Sequence, residues 1–244
     1  FMSGYALSIV PGKVGELIKS QILKTKFNVP RTKTASIIVI EQIYNLIGLV
    51  IVSCLGLGLI ITFQIEFFEV TSFVIMGATI VLIFILILIK SKTAFEKVFH
   101  KFAKFKFISK YELSYEESYE VIKKSLNGKL LIFSTFLSAA FWIIESVVVY
   151  FVLLAFDVDI LEFTTIIATY TSSIILGVAS FLPMGIGVTE GSLAGFFALK
   201  GVDISLALTI VIFIRIFTRW IGVGLGFILL KIIGGFSIES EKEN

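Results

Sequence analysis

Pro183-Met184-Gly185-Ile186-Gly187-Val188-Thr189-Glu190 interrupts a long apolar stretch late in the chain, and Pro11-Gly12-Lys13-Val14-Gly15-Glu16 interrupts another near its start. Proline and glycine end a helix without a side-chain clash. Each glutamate then falls in the first turn of the next apolar run, where the positive end of a helix stabilises it. Apolar segments broken by Gly and Pro at corresponding places in two halves point to a transporter's binding site. The two breaks therefore predict substrate handling within a membrane.

The composition predicts an integral membrane protein. Of the 244 residues, 57% are hydrophobic and 25 are Phe, and the mean hydropathy is +1.01, far above the average for soluble proteins. The apolar runs are continuous instead of alternating with period two, which favours helices over a β-barrel. We predict an all-α, polytopic helical membrane fold in which the two broken segments are half-helices or re-entrant arms.

Five apolar runs are long enough to cross the roughly 30 Å hydrocarbon core. These spans are expected at about 37–63, 70–89, 130–156, 161–182 and 204–230. The broken segments are 1–22 and 183–200, and residues 1–244 are treated as one transmembrane domain. The chain opens Phe1-Met2 with no charged n-region, so no signal peptide is visible. We also expect that helices preceding it are missing.

The basic residues predict the orientation in the cell membrane. Lys and Arg concentrate in 13–33 and 90–129, and positively charged loops stay in the cytoplasm. The loops at 64–69 and 157–162 contain no Lys or Arg and are expected outside. With a cytoplasmic tail, residues 161–200 would form a hairpin turning at Pro183, and the two breaks would be related as inverted repeats. A complete crossing by 161–182 is the alternative.

The connection 90–129 is predicted to contain an amphipathic helix. Phe95, Phe99 and Phe102 recur at helical spacing, while Lys97 and Lys101 fall on another face. The helix could lie among the headgroups of an anionic leaflet. It could equally be a solvated connector whose phenylalanines pack on the bundle.

Charged and small polar residues mark the inward faces of three spans. Arg215 and Arg219 lie four residues apart in the last span, and Glu145 lies mid-way through 130–156. Thr169 and Ser173 begin a polar stripe on 161–182 that continues through Gly177 and Ser180. A central arginine costs about 2.5–3.5 kcal/mol on insertion scales, so both arginines need partners. We expect these faces to surround a common cavity.

Two arginine forks suit a phosphate or a carboxylate, and helix amino ends at the breaks could add N–H donors. We therefore expect the headgroup of an anionic phospholipid or lipid phosphate to bind there. The candidate substrate-binding residues are Arg215, Arg219, Glu145, Glu190, Glu16, Gly185, Gly187, Pro183, Pro11, Gly12, Gly15, Lys19 and Glu41. In the alternative interpretation the arginines pair with Glu145, Glu190, Glu16 or Glu41 and only hold the bundle together. For Glu41, an interfacial salt bridge near Lys33 is the favoured role.

The sequence offers little support for catalysis. No serine–histidine–acid set, paired cysteines or histidine cluster occurs in it, so we expect neither an enzyme nor a metal or other cofactor. Nucleic acid is not an expected partner.

Four elements, in order, resemble those of the lysylphosphatidylglycerol synthase transmembrane region, also called the flippase-like membrane family. They are Pro11-Gly12-Lys13-Val14-Gly15-Glu16-Leu17-Ile18-Lys19, Ile40-Glu41-Gln42-Ile43, Pro183-Met184-Gly185-Ile186-Gly187-Val188-Thr189-Glu190-Gly191 and Arg215-Ile216-Phe217-Thr218-Arg219-Trp220. The chain departs from the family pattern at Lys19 and Gln42, where arginine is usual, and at Met184, where glycine is usual.

The resemblance implies a polytopic membrane protein that, in some members, translocates an aminoacylated phospholipid between leaflets. Lysine transfer is not implied, because the domain that makes the lipid in those members has no counterpart in these residues. Other members accompany glycosyltransferases. The expected function is lipid flipping, and the alternative is a non-transporting scaffold that recruits a lipid-modifying enzyme or glycosyltransferase through 90–129.

Overall fold

The computed structural model describes residues 6, 18–60, 65–103, 114–126 and 128–232. The first broken segment, with Pro11, Gly12, Gly15 and Glu16, lies outside these ranges, as does the side chain of Lys19. Every regular element in the described part of the chain is a helix, which confirms the predicted fold class.

Ten α-helices follow one another in the described ranges. They are α1 (Ile18–Phe27), α2 (Arg31–Ile60), α3 (Ile65–Lys90), α4 (Lys92–Ala103), α5 (Tyr115–Ser125), α6 (Lys129–Ala155), α7 (Phe163–Ala179), α8 (Val188–Leu199), α9 (Ile204–Arg215) and α10 (Ile221–Ile232). A 3₁₀ turn, Pro183–Gly185, separates α7 from α8, and a π-helical turn, Ile216–Trp220, joins α9 to α10.

Four helical stretches of the described chain are long and apolar enough to cross a membrane: Arg31–Gly58, Glu69–Lys90, Lys129–Ala155 and Ile204–Leu229. The predicted span 161–182 contains only the 17-residue α7. At 1.5 Å per residue α7 is about 26 Å long, shorter than the roughly 30 Å hydrocarbon core.

Helix α7 is the centre of the bundle. Each residue from Thr165 to Ile175 is buried, because neighbouring helices pack around α7. The hydroxyls of its polar stripe bond to carbonyls one turn back in the same helix: the Thr169 hydroxyl donates to the Thr165 carbonyl at 2.9 Å, and the Ser173 hydroxyl donates to the Thr169 carbonyl at 2.8 Å. The predicted polar stripe of α7 is therefore largely self-satisfied.

Helix α8 folds back along α7. At the turn, Gly177 of α7 lies against Gly185 and Thr189, and at the other end Ala168 of α7 packs with Phe196 of α8. This antiparallel arrangement is the hairpin turning at Pro183 that the charge pattern favoured. The inverted repeat remains a prediction, because the first break lies outside the described residues.

The amphipathic helix α4 packs on its neighbours. The ring of Phe95 lies 5.3 Å from that of Tyr119 and 5.9 Å from that of Tyr115, both in α5, and Phe95 also contacts the cluster containing Ile40 and Ile122. The structure thus favours the connector interpretation over a helix whose phenylalanines enter the headgroups. The side chain of Phe102 lies outside the described part of the structure.

Candidate functional site

The two arginines sit on either side of a change in helix geometry. Helix α9 ends at Arg215, and the π-helical turn Ile216–Trp220 contains Arg219. Single π turns inside α-helices are frequent at functional sites. Although the sequence placed both arginines on one face, Arg215 reaches α8 and Arg219 reaches α6.

Arg215 ties α9 to the start of α8. It is 2% exposed, its Nε lies 2.6 Å from Glu190 Oε1, and its Nη2 donates to the Met184 carbonyl at 2.7 Å. Burial of this guanidinium is tolerated because both a carboxylate and a carbonyl satisfy it. Arg215 therefore fixes the position of the turn relative to the last span.

Glu190 contacts both Arg215 and the backbone of the turn. It is in the first turn of α8, and its Oε2 accepts a hydrogen bond from the Gly187 N–H at 2.7 Å. The backbone here is left-handed at Met184 (φ 51°), Gly185 (φ 66°) and Gly187 (φ 84°). Since the left-handed region favours glycine, the family's usual glycine at the Met184 position has a physical reason.

Arg219 and Glu145 form a bidentate ion pair. Nη1 lies 2.6 Å from Oε1 and Nη2 lies 2.9 Å from Oε2, the parallel geometry in which arginine binds carboxylate and phosphate groups. The Tyr170 hydroxyl donates to Glu145 Oε2 at 2.7 Å. The arginine Cζ lies 5.6 Å from the centre of the Trp142 ring, within the range of a cation–π contact.

Trp142 links this ion pair to α2. Its Nε1 donates to the Asn45 carbonyl at 3.1 Å, and Ser138 Oγ donates to the same oxygen at 3.3 Å. The predicted polar face of α6 thus turns inward at Ser138 and Glu145. Four elements (α2, α6, α7 and the π turn) meet at one polar cluster.

Several predicted residues come together at this site. Pro183, Gly185 and Gly187 shape the turn held by Arg215 and Glu190. Glu41 lies in α2, which begins at Arg31. The Nζ of Lys33, the expected neighbour of Glu41, lies 3.8 Å from Glu117 Oε1. The guanidinium groups of Arg215 and Arg219 contact the carboxylates of Glu190 and Glu145, two of the four partners named in the alternative interpretation.

The sequence interpretation missed Tyr170 and Trp142. A signal was available, because a tyrosine or tryptophan in mid-span needs a partner for its polar atom. The Met184 carbonyl had no sequence signal. Within the described ranges, no group of three His, Cys, Asp or Glu residues suits a metal ion.

Comparison with known proteins gives the chain its family. Residues 1–226 match the model of the lysylphosphatidylglycerol synthase TM region. A UPF0104 membrane protein of Methanocaldococcus jannaschii is 25% identical over 226 residues, which cover 93% of each chain. A UPF0104 membrane protein of Methanothermobacter thermautotrophicus is 34% identical over 99 residues, 41% of this chain and 29% of that protein. No solved structure matches. The chain belongs to the lysylphosphatidylglycerol synthase TM-region family.

Proposed function

We propose that this member of the lysylphosphatidylglycerol synthase TM-region family binds the phosphate-bearing headgroup of an anionic lipid at Arg215 and Arg219 and moves it between leaflets. Ionisable residues inside a membrane are costly and mark substrate pathways. Here two such arginines lie beside a helical hairpin broken by Pro183. The lipid chains would remain in hydrocarbon while the headgroup passes the turn.

The observation that carries the proposal is the fork between Arg219 and Glu145. The two nitrogens bind two oxygens of one group at 2.6 and 2.9 Å, and a phosphate presents a similar pair of oxygens. Removing Glu145 without replacement would leave an unpaired buried charge, which costs about 3–5 kcal/mol. Exchange of carboxylate for phosphate keeps Arg219 paired, and the Tyr170 hydroxyl can still donate to the displaced Glu145 carboxylate.

The Arg215 contacts would couple headgroup binding to movement of the hairpin. Glu190 is the most exposed side chain of the two ion pairs, at 23%, so we expect it to be the carboxylate that separates most readily from its arginine. Displacing Glu190 would release the Gly187 N–H and detach Arg215 from the first turn of α8. The left-handed turn would then be free to shift relative to the last span.

The protein would be a non-enzymatic, multi-pass protein of the cell membrane, with 13–33 and 90–129 on the cytoplasmic side. Support for this orientation comes from the basic residues of both segments and from the four helices long enough to span.

Lipid translocation in proteoliposomes tests the function. Vesicles would carry fluorescent phosphatidylglycerol, and a membrane-impermeant reductant would report the fraction in the outer leaflet, with and without an ion gradient. The test variant is Glu145→Gln/Arg219→Met, which removes both charges and so leaves neither unpaired. The matched control is Lys33→Ala/Glu117→Ala, which removes a surface pair at 3.8 Å.

We expect the native protein and the surface control to make the labelled lipid accessible from both leaflets, and the test variant to lose most of that activity. Equal translocation by the test variant would show that the ion pair is structural only. An absence of translocation in the native protein under all gradients would favour the scaffold alternative.

A further inference from the structure

A second feature, separate from the ion pairs, is an apolar groove between α2, α3, α5 and α6. Its volume is about 880 Å³, within the range of roughly 300–1,000 Å³ found for ligand-binding pockets. Its lining does not include Glu145, Glu190, Arg215 or Arg219. Its outer wall includes Ile132 and Phe136, which are largely exposed, so in a bilayer the groove opens to lipid.

One end of the groove is cationic, and the rest is apolar. Lys90 is the last residue of α3 and Lys123 is in the last turn of α5, and both line the groove and are exposed. The Nζ of Lys123 lies 5.8 Å from the centre of the Tyr119 ring, which also lines that end. A groove with one cationic end and an otherwise apolar lining suits an anionic amphiphile, with its charged group at the lysines and its hydrocarbon chain along the apolar part.

The length of the groove matches one leaflet. On α3 it extends from Lys90 to Leu82, and on α6 from Leu131 to Ala139. Each stretch rises about 12 Å at 1.5 Å per residue, and half of a roughly 30 Å hydrocarbon core is about 15 Å. An occupant with its charge at the lysines would therefore place its chains within a single leaflet.

A polar atom in the wall lacks a protein partner. Thr135 Oγ1 is buried without a hydrogen bond, whereas Ser146 on the same helix donates to the Trp142 carbonyl at 2.9 Å. An unsatisfied buried hydroxyl is destabilising, and buried polar groups in native proteins normally have a hydrogen-bond partner. Thr135 is one turn beyond Leu131, about 6 Å from the charged end, where a lipid has its glycerol oxygens.

We propose that this groove is a binding site for one anionic glycerophospholipid of the lysine-side leaflet. Lys90 and Lys123 contact its phosphate, the Thr135 hydroxyl donates to an oxygen of the glycerol linkage, and the chains lie against Leu82 and Phe136. The site is distinct from the arginines and does not depend on transport through them.

Native mass spectrometry of the purified protein, supplied with phosphatidylglycerol and phosphatidylcholine of identical chains, tests the site. We expect at least one phosphatidylglycerol, the one in the groove, to be retained in preference to phosphatidylcholine. A lysine at a membrane surface contributes roughly fivefold in affinity, so Lys90→Ala/Lys123→Ala should weaken phosphatidylglycerol binding about thirtyfold. The control is Lys97→Ala/Lys124→Ala, which removes two exposed lysines that do not line the groove.

Filling the groove gives an independent test. Thr135→Phe should displace the lipid, while Leu137→Phe, on the lipid-exposed part of the same helix and outside the groove lining, should not. Glu145→Gln/Arg219→Met should retain the lipid, which separates this site from the proposed transport site.

Three results would overturn the groove proposal. They are equal retention of both lipids, equal losses in the lysine variant and its control, and a lipid-free dimer in which a helix of a second copy fills the groove. None of them bears on translocation at the arginines.

Discussion

The ion pair between Arg219 and Glu145 should be strongly coupled energetically. Both side chains are nearly buried, at 12% and 8% exposure, and they share two short hydrogen bonds. Breaking such a pair by removing one partner costs about 3–5 kcal/mol, because the other charge remains buried. Replacing both partners with neutral groups removes that penalty.

A double-mutant cycle measures this coupling. Glu145→Gln and Arg219→Met would be made singly and together, and unfolding in detergent would be followed by tryptophan fluorescence and by heating. For a chain of this size each kcal/mol shifts the Tm by about 2–4 °C, so each single variant should lower it by roughly 6–20 °C. The double variant should be less destabilised than the sum of the two, with a coupling of about 1–3 kcal/mol.

The surface pair of Lys33 and Glu117 provides the reference. Its atoms are 3.8 Å apart and its side chains are 55% and 36% exposed, so the same cycle there should give less than about 1 kcal/mol. If the buried cycle proved additive, or if its single variants shifted the Tm no more than the surface variants, the reasoning about this ion pair would be wrong.

Three further predictions concern the hairpin and its supports. Met184→Gly should raise the Tm, because glycine adopts the left-handed conformation without the strain of about 1–2 kcal/mol that methionine has there. The greater conformational entropy of glycine in the unfolded chain offsets part of this gain. A lower Tm would contradict the prediction. Gly177→Ala should destabilise the protein by more than about 1 kcal/mol, since Thr189 Oγ1 occupies the place of the new methyl group, and an unchanged denaturant midpoint would refute the close contact. Tyr170→Phe should cost about 1.5–3 kcal/mol by the same unfolding assay, because its hydroxyl bonds to the Glu145 carboxylate; a neutral result would show that Glu145 is satisfied without it.

Most of the fold could be predicted because the apolar pattern is strong. The predicted span 130–156 lies within one residue of α6 (Lys129–Ala155) at each end. The predicted span 37–63 starts later than α2, which begins at Arg31, because the hydropathy signal is weak in the polar first turns. The hairpin at Pro183 could be inferred from the proline, the glycines and the distribution of charged residues. The sequence could not show where the phenylalanines of α4 pack, because that depends on a tertiary contact with α5.

The candidate site was only partly predictable. The sequence showed that Arg215 and Arg219 need acceptors, but four glutamates competed as partners, and pairing is decided by which helices are neighbours. The π turn has no local sequence signal of its own, so the two arginines were expected to share one face. Trp142 and Tyr170 also contact the Arg219–Glu145 ion pair, and these contacts between helices cannot be read from the hydrophobic periodicity of the sequence.

We propose that a lipid phosphate takes the place of the Glu145 carboxylate on the Arg219 guanidinium. Solid-state NMR of the protein in phosphatidylglycerol bilayers, with ¹⁵N-labelled arginine, measures this contact through guanidinium ¹⁵N–³¹P dipolar coupling. We expect, at the Arg219 guanidinium, the coupling that corresponds to N–O distances of about 2.7–2.9 Å; this contribution should be present in the native protein and absent in Arg219→Met. Active translocation without any such coupling would contradict it.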